Sequence, residues 1–216
     1  MLWRQFTAAF PPLLPGLWTA LELAAIAIAV ALFGGLAFAL LARSRFAPVR
    51  WAVATYVEVF RDTPLLVQMF FFFFGLPMLG ITLSAFEAAA LSIALQHVAF
   101  FSEIYRGGLQ AVSERHREAA KAIGLNYWKT QALIVLPMAI VRVLPAIANQ
   151  TVQIVKDTSI ASTIAVAELT LRGRTLAEQT ALTSVAFAAV ACYYLMITGA
   201  ITILMRVLER RLGFVE

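Results

Sequence analysis

The chain has 216 residues, 62% of them hydrophobic and 13% charged, with a mean hydropathy of +0.84. Soluble domains carry about 25% charged residues, so the composition excludes an ordinary soluble domain and predicts an all-α integral membrane protein. The net charge of +5 falls in short basic clusters between apolar runs, the distribution of membrane topology, and nucleic acid is excluded as a partner.

Residues 1–16, with Arg4 and then Pro11, Pro12 and Pro15, read as an external N-terminal segment without the cleavage site of a removable signal peptide. Leu17 to Leu41 carries Glu22 as its sole charge. At about 1.5 Å per residue its helix is about 37 Å long, enough to cross a core of about 30 Å with tilt. Gly34 and Gly35 within it predict a close helix contact. Arg43, Arg45 and Arg50 follow around Pro48 and place this loop in the cytoplasm, hence the N-terminus outside.

A second span runs from about Trp51 to Leu76. Its first half holds Glu58, Arg61 and Asp62 near the cytoplasmic surface, and Glu58 and Arg61 are spaced to pair on a helix. Pro64 removes an intrahelical hydrogen bond and predicts a break. Leu65, Gln68 and Met69 follow it and are candidates to face a pathway, while Phe70 to Phe74 are expected against lipid or neighbouring helices. After a turn with Gly75, Pro77 and Gly80, a third span from about Ser84 to Tyr105 returns to the cytoplasm. Gln96, His97, Ser102 and Glu103 interrupt it and must face a bundle interior or cavity, because lipid offers no hydrogen bonds. His97 reads as a hydrogen-bonded core residue and Glu103 as a partner of Arg106.

Gly107 to Ala139 is a polar island. Ser113 is placed to cap a helix from Glu114, Gly124 to end it in a left-handed turn, and Asn126 to cap the next, giving two short helices with an elbow. The first carries Arg115, Arg117, Glu118 and Lys121 beside Ala119, Ala120 and Ala122. Such a surface suits docking on another protein, and equally a basic cytoplasmic loop that fixes topology.

The fourth span, about Met138 to Val155, has a kink signal at Pro145. Asn149, Gln153 and Lys156 share one helical face, with Gln150 and Asp157 beside it. This polar stripe fits a water-filled route better than interhelical glue in a dimer. Asp157, Thr158 and Ser159 offer caps for a new helix over Ile160–Leu171, a break that would aim backbone donors at an anionic group. Gln153, Asp157, Thr158 and Ser159 are thereby expected to border a pathway. Asp157 would contact a substrate ammonium, or pair with Lys156 and cap the helix. Arg172, Gly173, Arg174 and Glu178 are assigned to an external loop. A last span, about Ala181 to Met205, ends at the cytoplasmic Arg206, Arg210 and Arg211. It contains the single cysteine, Cys192, read as a buried thiol with no disulfide or metal role.

The chain thus predicts about five transmembrane helices. No Ser/His/Asp arrangement, paired-carboxylate site, HExxH or phosphate-binding glycine loop occurs, which predicts no catalytic residue, no metal and no cofactor bound by this chain. Without an internal repeat, so few helices enclose a pore poorly, and a second copy or similar subunit is expected to complete it.

Glu118-Ala119-Ala120, then Gly124, then Leu136-Pro137 closely resemble the EAA signature of bacterial ABC-importer permease subunits. The resemblance extends to Tyr56 through Leu65, Ser102 through Gly108, Lys156-Asp157-Thr158-Ser159 and Leu208 through Leu212, and covers the chain from about Leu17 onward. It departs at Arg115-His116, where the family usually has Gly-Gln, and at Met138, usually Gln. The resemblance implies a type I ABC-importer transmembrane domain over 17–208, with a coupling loop over about 107–137 and a cytoplasmic tail over 209–216. It is similar to the polar-amino-acid branch, whose cargoes include arginine, histidine, glutamine, glutamate and aspartate. It further implies two ATP-binding subunits carrying ATP and Mg, a second permease, an external solute-binding protein, and a multi-pass place among the lipids of the bacterial cytoplasmic (inner) membrane. Glu118, Ala119, Ala120 and Gly124 would couple the chain to the ATPase. Two other readings are an ion-coupled secondary transporter using Glu103, Lys156 and Asp157, and a structural membrane subunit without a substrate site. The EAA-to-LP spacing argues against the first.

Overall fold

Small residues decide how these helices meet. The computed structural model describes residues 2–211, so the part of the expected tail and of the Leu208–Leu212 motif beyond Arg211 lies outside the described residues. A short helix α1 (Leu2–Ala8) leads into α2 (Phe10–Leu41). Pro11 and Pro12 occupy the first turn of α2, where a missing N–H costs nothing. The expected N-terminal segment is therefore helical and runs into the first span. Along α2, Ala20, Ala24, Ala27, Ala31, Gly35 and Ala39 are buried at helical spacing, a groove of small side chains that admits another backbone.

That backbone is α5 (Ala85–Ala111), opened by a reciprocal cap in which Glu87 N–H donates to Ser84 Oγ at 3.2 Å and Ser84 N–H to Glu87 Oε2 at 2.8 Å. A Cβ on Gly35 would collide with Phe101 Cβ and lie 3.0 Å from the Ser102 amide, so glycine alone permits this contact. The expected close approach at Gly34-Gly35 is present.

Between them, α3 (Ala47–Asp62) bends by 104° into the stretch Leu65–Leu79, which opens with α4 (Leu65–Phe70). Thr63 and Pro64 are extended, and the carbonyls freed by the break are claimed by amides. Gln68 Nε2 donates to Phe60 O at 3.0 Å and Thr63 O at 2.9 Å, and Gln96 Nε2 on α5 donates to Thr63 O at 3.1 Å. The chain then winds through a π-helical turn, Phe71–Gly75, and a 3-10 turn, Leu76–Leu79. The expected Glu58–Arg61 pair is not formed. Arg61 instead reaches Glu103 across helices at 3.6 Å, and Glu103 also holds Arg106: a carboxylate partly shielded from water between helices outcompetes a solvent-screened one on the same helix.

After α5 come α6 (Glu114–Ala122), α7 (Tyr127–Thr130), a π-helical turn at Gln131–Val135, and α8 (Leu136–Asp157). The segment beyond α8 differs from the sequence-based expectation. Thr158–Ile164 is a 3-10 turn, and the next helix, α9, spans Leu169–Thr180 instead of Ile160–Leu171. The reason is the cap: Glu168, fully buried, accepts from Thr170 N–H at 2.8 Å and Leu171 N–H at 2.9 Å, and Tyr194 OH donates to it at 3.0 Å. Residues 172–178, expected as a loop, are helical, with Arg174 and Glu178 3.4 Å apart. α10 (Thr183–Arg211) closes the bundle.

Four helical stretches are long and apolar enough to cross a membrane: Trp3–Leu41, Ala85–Ala111, Tyr127–Ile164 and Thr183–Arg211. The bent pair Ala47–Asp62 with Leu65–Leu79 makes a fifth. The main core joins Leu23, Ala27, Met69, Ile93, Phe101, Ile154 and Ile164, so α5 and the end of α8 lie at its centre.

Candidate functional site

Two regions carry the polar chemistry, one at the end of α5 and one at the end of α8. In the first, α6 starts at Glu114 as expected, but Ser113 does not cap it. Its Oγ engages His116 Nδ1 at 2.6 Å instead, since an imidazole nitrogen on the first turn competes for the same hydroxyl. The other end follows the sequence. Gly124 has φ 80°, and Leu125 N–H to Ala120 O at 3.0 Å with Gly124 N–H to Lys121 O at 2.9 Å closes the helix in a Schellman turn. Asn126 Oδ1 then accepts from Lys129 N–H at 2.9 Å.

The loop is exposed yet tethered. Ala120 packs inward, while Glu118, Ala119 and Gly124 face out, and among the described residues Glu118 makes no ion pair. Arg117 donates to Leu109 O at 3.3 Å, and Arg142, one turn and more into α8, donates to Ala111 O. Arg117 therefore fastens the loop to the last turn of α5, and Arg142 fastens α8 to the same turn. Arg142 belongs to no motif, and its isolation in an otherwise apolar stretch is the one signal of its role that the sequence carries. A hollow of about 550 Å³ opens beside the loop, lined by Arg43, Arg106, Gln110 and Arg117.

In the second region α8 splits its polar residues between two faces. Asn149, Gln153 and Lys156 are exposed together, as their spacing predicts. Gln150 and Asp157 turn toward α5, where His97 is 0% exposed. His97 Nε2 lies 3.0 Å from Asp157 Oδ2 and Nδ1 lies 2.8 Å from Gln150 Nε2, while Gln153 Nε2 donates to Asp157 Oδ1 at 2.8 Å. Asp157 therefore pairs with His97, neither capping a following helix nor meeting Lys156.

The remaining pathway candidates are placed differently from expectation. Leu65 and Gln68 are 6% and 7% exposed, turned into the core and onto the carbonyls of the break, and Thr158 is fully buried. Gln68 nevertheless edges a hollow of about 360 Å³ with Val59, Phe60 and Phe71. Thr158 and Ser159 donate to Val155 O at 2.8 Å and Lys156 O at 2.7 Å, so they serve the carbonyl end of α8. The Thr158 N–H is itself taken by Ile154 O. The break consequently offers no ring of free backbone donors to an anion; what it offers is a partly exposed carboxylate, Asp157, beside amides.

A family of transport proteins decides what this geometry belongs to. The model for the binding-protein-dependent transport system inner membrane component matches residues 31–214. The chain belongs to this family. Among curated relatives, a probable amino-acid ABC transporter permease of Sinorhizobium fredii (strain NBRC 101917 / NGR234) is 39% identical, with 92% of this chain and 86% of that protein covered. The glutamine transport system permease of Escherichia coli (strain K12) is 34% identical, with 97% of each covered. A crystal structure of an amino acid ABC transporter with histidines superposes with a TM-score of 0.88 at 31% identity, over 93% of this chain and 94% of that one. An inward-facing methionine ABC transporter shares the fold alone, with a TM-score of 0.77 at 16% identity over 94% of this chain and 96% of that one. The chain is thus a type I ABC-importer permease, a multi-pass membrane subunit and not itself an enzyme. Family membership favours transport driven by a separate ATPase over the ion-coupled and the purely structural readings.

Proposed function

We propose that this permease carries a polar amino acid inward across the bacterial cytoplasmic membrane, with its N-terminus outside and C-terminus in the cytoplasm. It works with a second permease, the same or similar, two ATP-binding subunits that hold ATP and Mg, and an external solute-binding protein. The observation that supports this best is the exposed, tethered α6. Glu118, Ala119 and Gly124 present a charged surface with small residues while Ala120 packs beneath it. Arg117 ties α6 to the end of α5, and Arg142 ties that same end to α8, the two helices that meet at His97 and Asp157. A displacement of α6 by ATP-driven closure of the ATPases is passed through the Arg117 and Arg142 tethers to α5 and α8. The exposed face of Asn149 and Gln153, with Asp157 and Ser159 at its end, borders the route, and Asp157 is the group suited to a substrate ammonium.

The test is a mild-detergent purification of the tagged chain from native membranes. The reading expects an ATP-binding subunit to co-purify, to be lost on combined replacement of Glu118 and Gly124, and a second permease band to show the pairing. A chain that purifies alone and transports without ATP refutes it.

A further inference from the structure

His97 sits on the third span, 60 positions before Asp157, and both its ring nitrogens are used. With Gln150 Nε2 donating to Nδ1 at 2.8 Å, the ring carries its proton on Nε2 and donates it to Asp157 Oδ2 at 3.0 Å. The other carboxylate oxygen, Oδ1, receives Gln153 Nε2. A four-residue relay, Gln150–His97–Asp157–Gln153, therefore runs from the buried seam between α5 and α8 to the exposed polar face of α8. His97 and Asp157 side chains are 1% and 15% exposed, so the imidazole is sealed inside while the carboxylate reaches the surface.

Nothing else competes for His97. On α5 itself, Glu103 is engaged with Arg61 and Arg106. Arg61 of α3 lies over Phe100 and not over the imidazole, and Tyr56 of α3 donates to Leu95 O at 2.7 Å. Asp157 is the charged group within hydrogen-bonding distance of the ring among the described residues.

We propose that His97, oriented by Gln150, is a positioning residue for Asp157: it holds one carboxylate oxygen inward so that the other faces the translocation route. A carboxylate at the end of a helix swings about two side-chain torsions, and a fixed donor on one oxygen removes that freedom before a cationic group arrives. The group served is an ammonium, common to amino acids, so this relay favours amino acids as a class over their deaminated counterparts and does not choose among their side chains. The inference rests on the reading that Asp157 borders the route.

The experiment uses the complete permease–ATPase complex in proteoliposomes with its solute-binding protein. A tritiated mixture of the common L-amino acids is the probe, and both uptake and ATP hydrolysis are followed. His97→Leu removes both hydrogen bonds and is expected to lower amino acid carried per ATP hydrolysed about tenfold, the worth of one charge-assisted hydrogen bond, with ATP turnover retained. His97→Gln, long enough to donate to Asp157 and accept from Gln150, restores most of the coupling. Adding His97→Leu to Asp157→Asn lowers it no further than Asp157→Asn alone. Should His97→Leu fail to assemble, His97→Asn, polar but too short to make both bonds, takes its place with the same expectation. If Asp157→Asn lowers uptake while the His97 variants do not, the positioning role is wrong and the pathway reading stands. If Asp157→Asn itself transports normally, the pathway reading falls and this inference with it. A parallel loss of uptake and ATP turnover without rescue by Gln makes His97 merely structural and overturns the proposal.

Discussion

The α6 loop and the His97–Asp157 seam are both polar regions of an apolar chain, and they satisfy their charges in opposite ways. Around α6, Glu118 and its neighbours face outward, and the loop's internal bonds serve its ends, a Schellman turn at one and arginine tethers at the other. Along the seam, His97, Gln150, Gln153 and Asp157 bond to one another within the chain. In hydrocarbon a polar group must find its partner at home, whereas at the aqueous edge it can remain available to another protein. Substitutions in the loop should therefore change function with folding intact, and substitutions in the packed seam should change folding as well.

The largest expected effect lies in the packing that supports the seam. Gly35→Leu drives a branched side chain into a space where even a Cβ would collide with Phe101 Cβ; overpacking of this kind costs about 1–3 kcal/mol or more. Loss of the folded chain in detergent, followed by size-exclusion recovery, is the expected readout, and normal recovery would show that α2 and α5 slide apart freely. Next comes the loop. Gly124→Val places a β-branched residue at φ 80°, a conformation costing about 1–3 kcal/mol. Uptake should fall about tenfold while the permease itself still folds. Comparing thermal unfolding of the permease alone with uptake by the complex separates the two, and equal loss in both would erase the contrast between loop and seam.

A smaller effect is expected from Gln96→Leu, which leaves Thr63 O with Gln68 as its side-chain donor and should cost about 1 kcal/mol of stability by thermal unfolding. The smallest concerns Glu168, which lies between the fourth and fifth spans. Burial pushes its carboxyl above the usual carboxylate range, with the Thr170 and Leu171 N–H groups and Tyr194 OH pulling it part-way back. A folded-state value raised in this way gives stability that is full in acid and is lost as pH rises through it. The difference in Tm between the wild type and Glu168→Gln should accordingly be largest at low pH and narrow as pH rises. A difference that widens instead would mean that the cap, and not the desolvation, governs this residue.

Features set by near neighbours along the chain are legible in the amino-acid sequence itself. Gly124 and Asn126 carry local turn chemistry, Pro64 cannot donate, and Gly34-Gly35 has no room for a side chain; each does what its residue type requires. The face shared by Asn149, Gln153 and Lys156 follows from helical period alone. What the sequence leaves open is decided by partners far along the chain. Ser113 loses its capping role to His116, Arg61 leaves Glu58 for Glu103, and Asp157 turns to His97. The position of α9 is hidden because its cap is a buried glutamate supported by Tyr194, while the more usual capping residues Asp157, Thr158 and Ser159 serve other partners. Leu65 and Gln68 follow the break as the sequence shows, but that Leu65 enters the core and the Gln68 amide takes the carbonyls of Phe60 and Thr63 is decided by the fold.

The elbow at Pro64 has a consequence for how the chain is made. Its freed carbonyl at Thr63 is closed partly by Gln96, a residue that leaves the ribosome 33 positions later. While the nascent chain enters the bilayer, Gln68 alone serves that carbonyl, and the second span gains its further donor once the third has arrived beside it. The two spans are thus expected to settle in the membrane as a pair, with the third acting as the template on which the second is finished.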